Sequence, residues 1–275
     1  MRIVVLGRVP IVLDGVVSTA AAKSKLLRKL PTGGGIRPLA VSSSSAPCAT
    51  SGQSTITLLQ ATERKLTAGD FAEVQFDACV QETFESAGKA REVVTAVNAT
   101  QTIFQAHGEL TSFGNTSAGV TTLETGPYDL SVDRTSAVNL KISSSSTKAV
   151  NVERRINQRA NAAYSLTNLK RAVEGDATAG TVNFNSSYTV SGSFPVLGAT
   201  RFQVNTLQAL SIGLDNGAFT GAVKVAGAGG STLQLTFLGG PVVSVRLDLD
   251  ANGDGTIDQS QTRTLDALLQ LVLAP

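Results

Sequence analysis

The chain has no tryptophan, one histidine, one methionine, two cysteines and only 16% charged residues among its 275. Each shortage excludes something. With His107 as the lone histidine, a Ser-His-Asp triad has one base to choose from, zinc sites built on several imidazoles are out of reach, and no Gly-x-Ser-x-Gly elbow occurs to supply a nucleophile. Twenty-three basic against 21 acidic residues leave a net charge of +2, too little for a surface that neutralises a run of phosphates, so nucleic acid is not an expected partner. No apolar run approaches the ~18 residues of a spanning helix, so no transmembrane segment is expected. Aromatics make up 5% of the chain, too few for the two girdles of a lipid-embedded barrel or for the sugar platforms of a glycosidase cleft. Glu73, Glu82, Glu109, Glu124 and Glu174 stand in ordinary alternating or turn contexts. Gly227-Ala-Gly229-Gly230 opens no helix and reads as a turn rather than a phosphate cradle. His107, at the end of an expected strand, reads as a surface residue, and no enzyme is expected.

What replaces charge is serine, threonine and alanine, with 26 glycines. Cys48 and Cys79 form either one structural bridge or two buried thiols. The charge-poor composition and the absence of a Cys-x-x-Cys pair favour the bridge and an oxidising, extracytoplasmic setting, periplasmic or extracellular. Met1 to Val17 opens like an export signal, but Arg8 and Asp14 interrupt its apolar run. An upstream start or a cut mature chain would explain that. Residues 1–45 read as a flexible leader, with a short basic helix over Ala20 to Leu30 and a glycine- and serine-rich stretch after it. Residues 46–275 read as a single domain.

In that domain the apolar spacing is close to two, the mark of half-buried strands. Val243, Val245, Leu247 and Leu249 alternate with polar residues, as do Leu233, Leu235 and Phe237, and Gly239-Gly240 joins the two runs. Extending this reading gives about fourteen strands, an all-β antiparallel meander curled into a barrel or folded as two packed sheets. One strand is expected over Val93 to Gln105, two over Val120 to Leu123 and Tyr128 to Val132, and a turn over Ser143 to Ser146. Helix is confined to Leu265 to Leu273 and Phe84 to Ala90.

Asp250-Ala-Asn252-Gly-Asp254-Gly255-Thr256-Ile-Asp258 has the spacing of a calcium loop, with side-chain oxygens at alternate positions, a glycine at the sharp turn and a backbone carbonyl from Thr256. Gln261 replaces the bidentate glutamate, so calcium would bind weakly, at about 10⁻⁴ to 10⁻³ M. The same dipeptides also make a hairpin turn without an ion. Glu153-Arg154-Arg155, Arg159 and Lys170-Arg171 form either a basic patch or a solvated strand face.

Leu66-Thr-Ala-Gly69-Asp70, followed by Phe76-Asp-Ala-Cys79, resembles a signature of uncharacterised exported bacterial proteins often described as lipoproteins. An earlier cysteine there, here Cys48 before Ser51-Gly52, is the apparent partner. The likeness continues through Phe219-Thr-Gly221, the Val243 to Asp258 hairpin and Thr262-Arg-Thr264-Leu265, and spans roughly Cys48 to Leu268. It implies an extracytoplasmic address and a β fold but no reaction. The expected function is therefore a structural or binding module of the bacterial envelope, with an envelope or cell-surface partner. The alternative is a periplasmic carrier holding an apolar ligand inside a barrel.

Overall fold

The computed structural model describes residues 40–268, without 63–64, 82–83, 118–119, 157–158, 195–197, 216 and 241. The strands are β1 (Ala40–Pro47), β2 (Ser51–Gln60), β3 (Phe71–Gln81), β4 (Phe84–Val97), β5 (Ile103–Ser117), β6 (Val120–Asp133), β7 (Asn139–Ser146) and β8 (Val150–Ile156). They continue with β9 (Arg159–Asp176), β10 (Thr181–Phe194), β11 (Gly198–Gly213), β12 (Phe219–Ala226), β13 (Thr232–Leu238), β14 (Ser244–Asp250) and β15 (Gln259–Thr264). A short helix follows at 265–268. All fifteen strands belong to one antiparallel sheet, and nearly every one pairs with its neighbours in sequence. The exception is a broken strand. β7 and β8 lie end to end between β6 and β9, each pairing with both.

Alternation explains the strands. In β5, Phe104, Ala106 and Leu110 are buried while Gln105, His107 and Glu109 face outward, and β6 repeats this with Tyr128, Leu130 and Val132. Four expectations change, the first being that β6 runs unbroken through both strands expected over Val120 to Leu123 and Tyr128 to Val132. The strand read across Val93 to Gln105 is two, because Asn98 locks a turn there: its Oδ1 accepts the amides of Thr102 and Ile103. Phe84 to Ala90 is strand rather than helix, since β3 and β5 pair with it on both sides and pairing overrides local preference. Ser143 to Ser146 lies inside β7, and the break comes at 147–149. Of the leader expected over 1–45, residues 1–39 lie outside the described residues and 40–45 belong to β1.

A crease crosses the sheet from β2 to β12. Along it the registers slip by bulges, and glycines face carbonyls at distances no side chain tolerates. A Cβ on Gly88 (φ +85°) would lie 2.0 Å from the Ser112 carbonyl oxygen, and one on Gly221 (φ +125°) would lie 2.4 Å from that of Ala209. Ala78, Ser112 and Asn168 on the same line hold positive φ. A bulge inserts one residue and reverses which side chains point inward. Leu166 and Leu169 are therefore both buried, although they are three apart.

The buried face carries three clusters in succession. Ala72, Val94, Phe104, Leu130 and Ile142 belong to the first, over β3–β7. Val150, Leu166, Val190 and Val204 belong to the second, over β8–β11. Leu210, Phe237 and Val245 form the third. Cys48 and Cys79 are bridged, with Cα atoms 5.4 Å apart, which ties the turn after β1 to β3. The chain-entropy model assigns such a loop about 3–4 kcal/mol.

Candidate functional site

On the face opposite the first two clusters, β4–β7 and β9–β11 form a groove of about 690 Å³. Its lining follows from the outward positions of each strand. Gln105 comes from β5, Asp129 and Ser131 from β6, Ser143 and Ser145 from β7, Lys170 from β9, and Asn185 and Ser187 from β10, while Thr206 of β11 borders it from the inward row, in register with Val223. Among the described residues no aromatic side chain lines it. Of the three ionic residues among its lining, Arg171 is paired with Glu124, and Asp129 and Lys170 cancel in charge. Elsewhere on the sheet the Ser45 and Thr55 hydroxyls pair at 2.8 Å and the Ser165 hydroxyl donates to Asn151 Oδ1 at 2.7 Å, and within the groove the Ser187 hydroxyl donates to Asn205 Oδ1 at 2.7 Å. In the groove, Gln105, Ser131, Ser143, Ser145, Lys170 and Asn185 have no side-chain hydrogen-bond partner among the described residues. A second groove of about 500 Å³ lies across the crease, bordered by Thr125, Asn151, Tyr164 and Ser191.

His107 sits in the middle of β5, not at a strand end, and its Nδ1 lies 2.9 Å from Asp129 Oδ1. Both side chains are more than half exposed, so the pair contributes little to stability. Ser145 is the next residue in the same cross-strand row. The order is histidine, aspartate, serine, which places the carboxylate between base and hydroxyl and leaves no route for the imidazole to take the serine proton.

The interior holds polar locks that the sequence reading missed. Glu92, Gly108 and Tyr128 occupy one row of β4, β5 and β6. Because Gly108 has no side chain, the Tyr128 ring lies over it and the hydroxyl donates to Glu92 Oε1 at 2.6 Å, with Glu92 fully buried. Burial, then the Glu92 carboxylate, pushes the Tyr128 hydroxyl far above its ordinary range. Burial likewise raises Tyr164 and Tyr188. Across the crease, the Arg171 guanidinium donates both arms to the Glu124 carboxylate, at 3.1 and 3.4 Å. A glycine beside an aromatic partner in an otherwise alternating strand was the signal available for the first lock.

The expected basic patch is divided by these contacts. Arg171 points inward to Glu124, Lys170 points outward into the groove, Arg155 pairs with Glu153 at 2.7 Å, and nothing is described for the Arg159 side chain. Glu73 pairs with Lys89 at 2.8 Å and Glu174 with Lys141 at 3.0 Å, while Glu82 lies outside the described residues. The Leu66 to Asp70 motif is a turn lock. Asp70, 2% exposed, accepts the amides of Ala61 and Thr67 through its two oxygens, and Leu66 packs on the first cluster.

In the 250–258 loop, Asp250 accepts the amides of Gly253 and Gly255, Asn252 that of Asp254, Asp254 that of Thr256, and Asp258 that of Ala251. The Thr256 amide, then the Asn252 side chain, lowers the Asp254 carboxyl below its ordinary range. Each of these four side chains thus gives at least one oxygen to the loop's own backbone, and Asp254 Oδ2 also accepts from the Asn252 side-chain amide. Among the described residues, no group of three or more Asp, Glu, His or Cys side chains converges on a point that could hold a metal ion. Neither does any described helix have the length and apolarity to cross a membrane.

Comparison with family models, with curated proteins and with solved structures finds no match. The functional reading therefore rests on the geometry of this chain.

Proposed function

We propose that this protein is a non-enzymatic, extracytoplasmic binding module of the bacterial envelope that offers its polar groove to a hydroxyl-rich polymer such as a glycan strand. The observation that carries the reading is the row of serines, side-chain amides and Lys170 that share this one groove and have no side-chain hydrogen-bond partner among the described residues. Hydroxyl ligands both donate and accept, which matches those groups, while the balanced charge of Asp129 and Lys170 offers no net field to a polyanion. The Cys48–Cys79 bridge supports an oxidising compartment. Against an apolar carrier stands the third cluster, in which Phe237 and Val245 close on Leu235, Val243 and Leu247.

Titration of the isotope-labelled protein with soluble neutral oligosaccharides, maltoheptaose and cellohexaose among them, should shift amide signals of Ser143, Ser145, Lys170 and Asn185. Ser145→Trp, which fills the groove, should abolish those shifts. Saccharides that leave the groove signals unmoved would sink the glycan reading. Maleimide trapping in intact cells should find Cys48 and Cys79 oxidised; reduced thiols would remove the extracytoplasmic address.

Calcium at Asp250, Asn252, Asp254, the Thr256 carbonyl and Asp258 is the stabilising element of the same proposal. The loop wraps its own amides with the spacing an ion would use, and Asp254 and Asp258 must turn from those amides to reach it. Millimolar calcium should raise Tm by mass action relative to EDTA, and Asp254→Ala should cancel the rise. Superimposable melts would leave the loop a turn.

A further inference from the structure

We propose that two copies of this chain associate through β1, pairing their first strands antiparallel about a twofold axis at Ser43, so that one sheet runs on into the next. Among the described residues β1 pairs with β2 alone, and its register shows which groups β2 leaves open. The Cys48 amide donates to the Gly52 carbonyl, and positions 48 and 52 continue the β1–β2 register. In an antiparallel ladder, bonded and non-bonded pairs alternate. The even-numbered residues of β1 therefore bond β2, while Val41, Ser43 and Ser45 turn their N–H and C=O groups to the open edge. The short Ser43–Thr57 and Ser45–Thr55 hydroxyl contacts are those of non-bonded pairs, as this assignment requires. An added strand can pair only outward residue with outward residue. Ser43 then meets its own copy, and Val41 meets Ser45 of the other copy. Pro47, which has no N–H to give, also falls on an outward position and lies just beyond that ladder.

The occupant follows from what β1 lacks. Natural edges are guarded by charge, shortness or a covering segment. From Ala40 to Pro47 there is no charged residue, and the side chains of Val41 to Ala46 are exposed on both faces. The other edge of the described sheet, β15, is shorter, carries Arg263, and is followed at once by Leu265 and Leu268, which pack back on the third cluster. A second β1 suits the first edge because its small hydroxyls meet hydroxyls and no charge meets its like, the self-complementary contact a twofold dimer needs.

Sedimentation equilibrium of the full, oxidised chain should give twice 28.4 kDa, with dissociation on dilution. Ser43→Pro removes the central outward N–H without touching the β1–β2 ladder and should yield monomers. Ser43→Lys, which puts like charges on the axis, should do the same if proline disturbs the strand. Thr262→Pro in β15 should leave the dimer intact. A wild-type monomer at every concentration overturns the proposal, as does a dimer that survives Ser43→Lys. A dimer lost only in Thr262→Pro would move the contact to β15, and one lost only on deleting residues 1–39 would assign the edge to that segment; either result also overturns it.

Discussion

Two stretches of this sheet, β3–β7 and β11–β15, have the same alternating sequence and very different interiors. The first buries eleven residues in a continuous cluster, from Ala72 and Val74 to Ile142. The second holds a cluster of only three, Leu210, Phe237 and Val245, with half-buried leucines and valines around them, and buries Val204 and Ala222 apart from it. The C-terminal runs Leu233 to Phe237 and Val243 to Leu249 are the cleaner alternations on paper. Alternation sets which face a side chain takes. How deep it lies depends on how strongly the sheet curls over that face, and the crease does that work where Gly52, Gly88 and Gly126 let backbone approach backbone.

The largest test of the contrast is a pair of truncations. Leu130→Ala, in the dense region at 2% exposure, should lower unfolding stability by about 2–5 kcal/mol. Leu247→Ala on half-buried β14 should lower it by less than about 2 kcal/mol. Equal losses in chemical denaturation would erase the distinction.

The crease should respond next. Gly88→Ala forces a side chain to φ +85° and against the Ser112 carbonyl, at about 1–3 kcal/mol. Gly175→Ala, with open space around the added carbon, should be neutral or stabilise by a few tenths of a kcal/mol. Equal melting temperatures for the two variants would mean the crease tolerates a side chain.

Alkaline pH spares β11–β15, because the three tyrosines of the chain lie in β6, β9 and β10 and all three are raised. Above the ordinary value of 10.0 the unfolded chain gives up protons that the folded chain keeps, so stability falls as pH rises. Each such tyrosine contributes about 1.4 kcal/mol per pH unit. Tyr128→Phe should flatten that slope while lowering neutral-pH stability by about 1–3 kcal/mol, since Glu92 loses its donor. An unchanged alkaline slope in Tyr128→Phe would show that Tyr128 ionises while folded.

The smallest effect is on the acid side. Asp248, held down by the Ser260 hydroxyl and then Arg246, and Asp254, held down by the Thr256 amide and then Asn252, both ionise below 3.8. Their contribution is full above that value and is lost as pH falls through the lowered one. Hydrogen exchange should therefore quicken in β14–β15 below about pH 4 before it does in β4–β6.

The strand content, antiparallel order and bridge were legible in the sequence because period-two spacing and two cysteines bear on them directly. Turn positions were less so. Asn98 ends β4 through side-chain bonds to amides four and five residues on, and no apolar pattern records that. Bulges hid the inward register at Leu166 and Leu169, since one inserted residue cancels the alternation that reveals a face. The groove was not legible at all. Its unpaired serines look the same in sequence as the paired ones at Ser45 and Ser165, and only the curvature of seven strands brings them together.

The pairing order of the sheet also bears on how such a chain could be delivered. Each strand bonds to the one made just before it, so a polypeptide emerging through a narrow export channel amino-terminus first can lay down its strands one at a time, without waiting for a distant partner. The Cys48–Cys79 bridge lies within the first three strands and can close while the remainder is still in transit. The single interruption is 120–176, where β8 must reach back to β6 and β9 to β7. That block is the one part of the molecule that must wait for its own end before it sets.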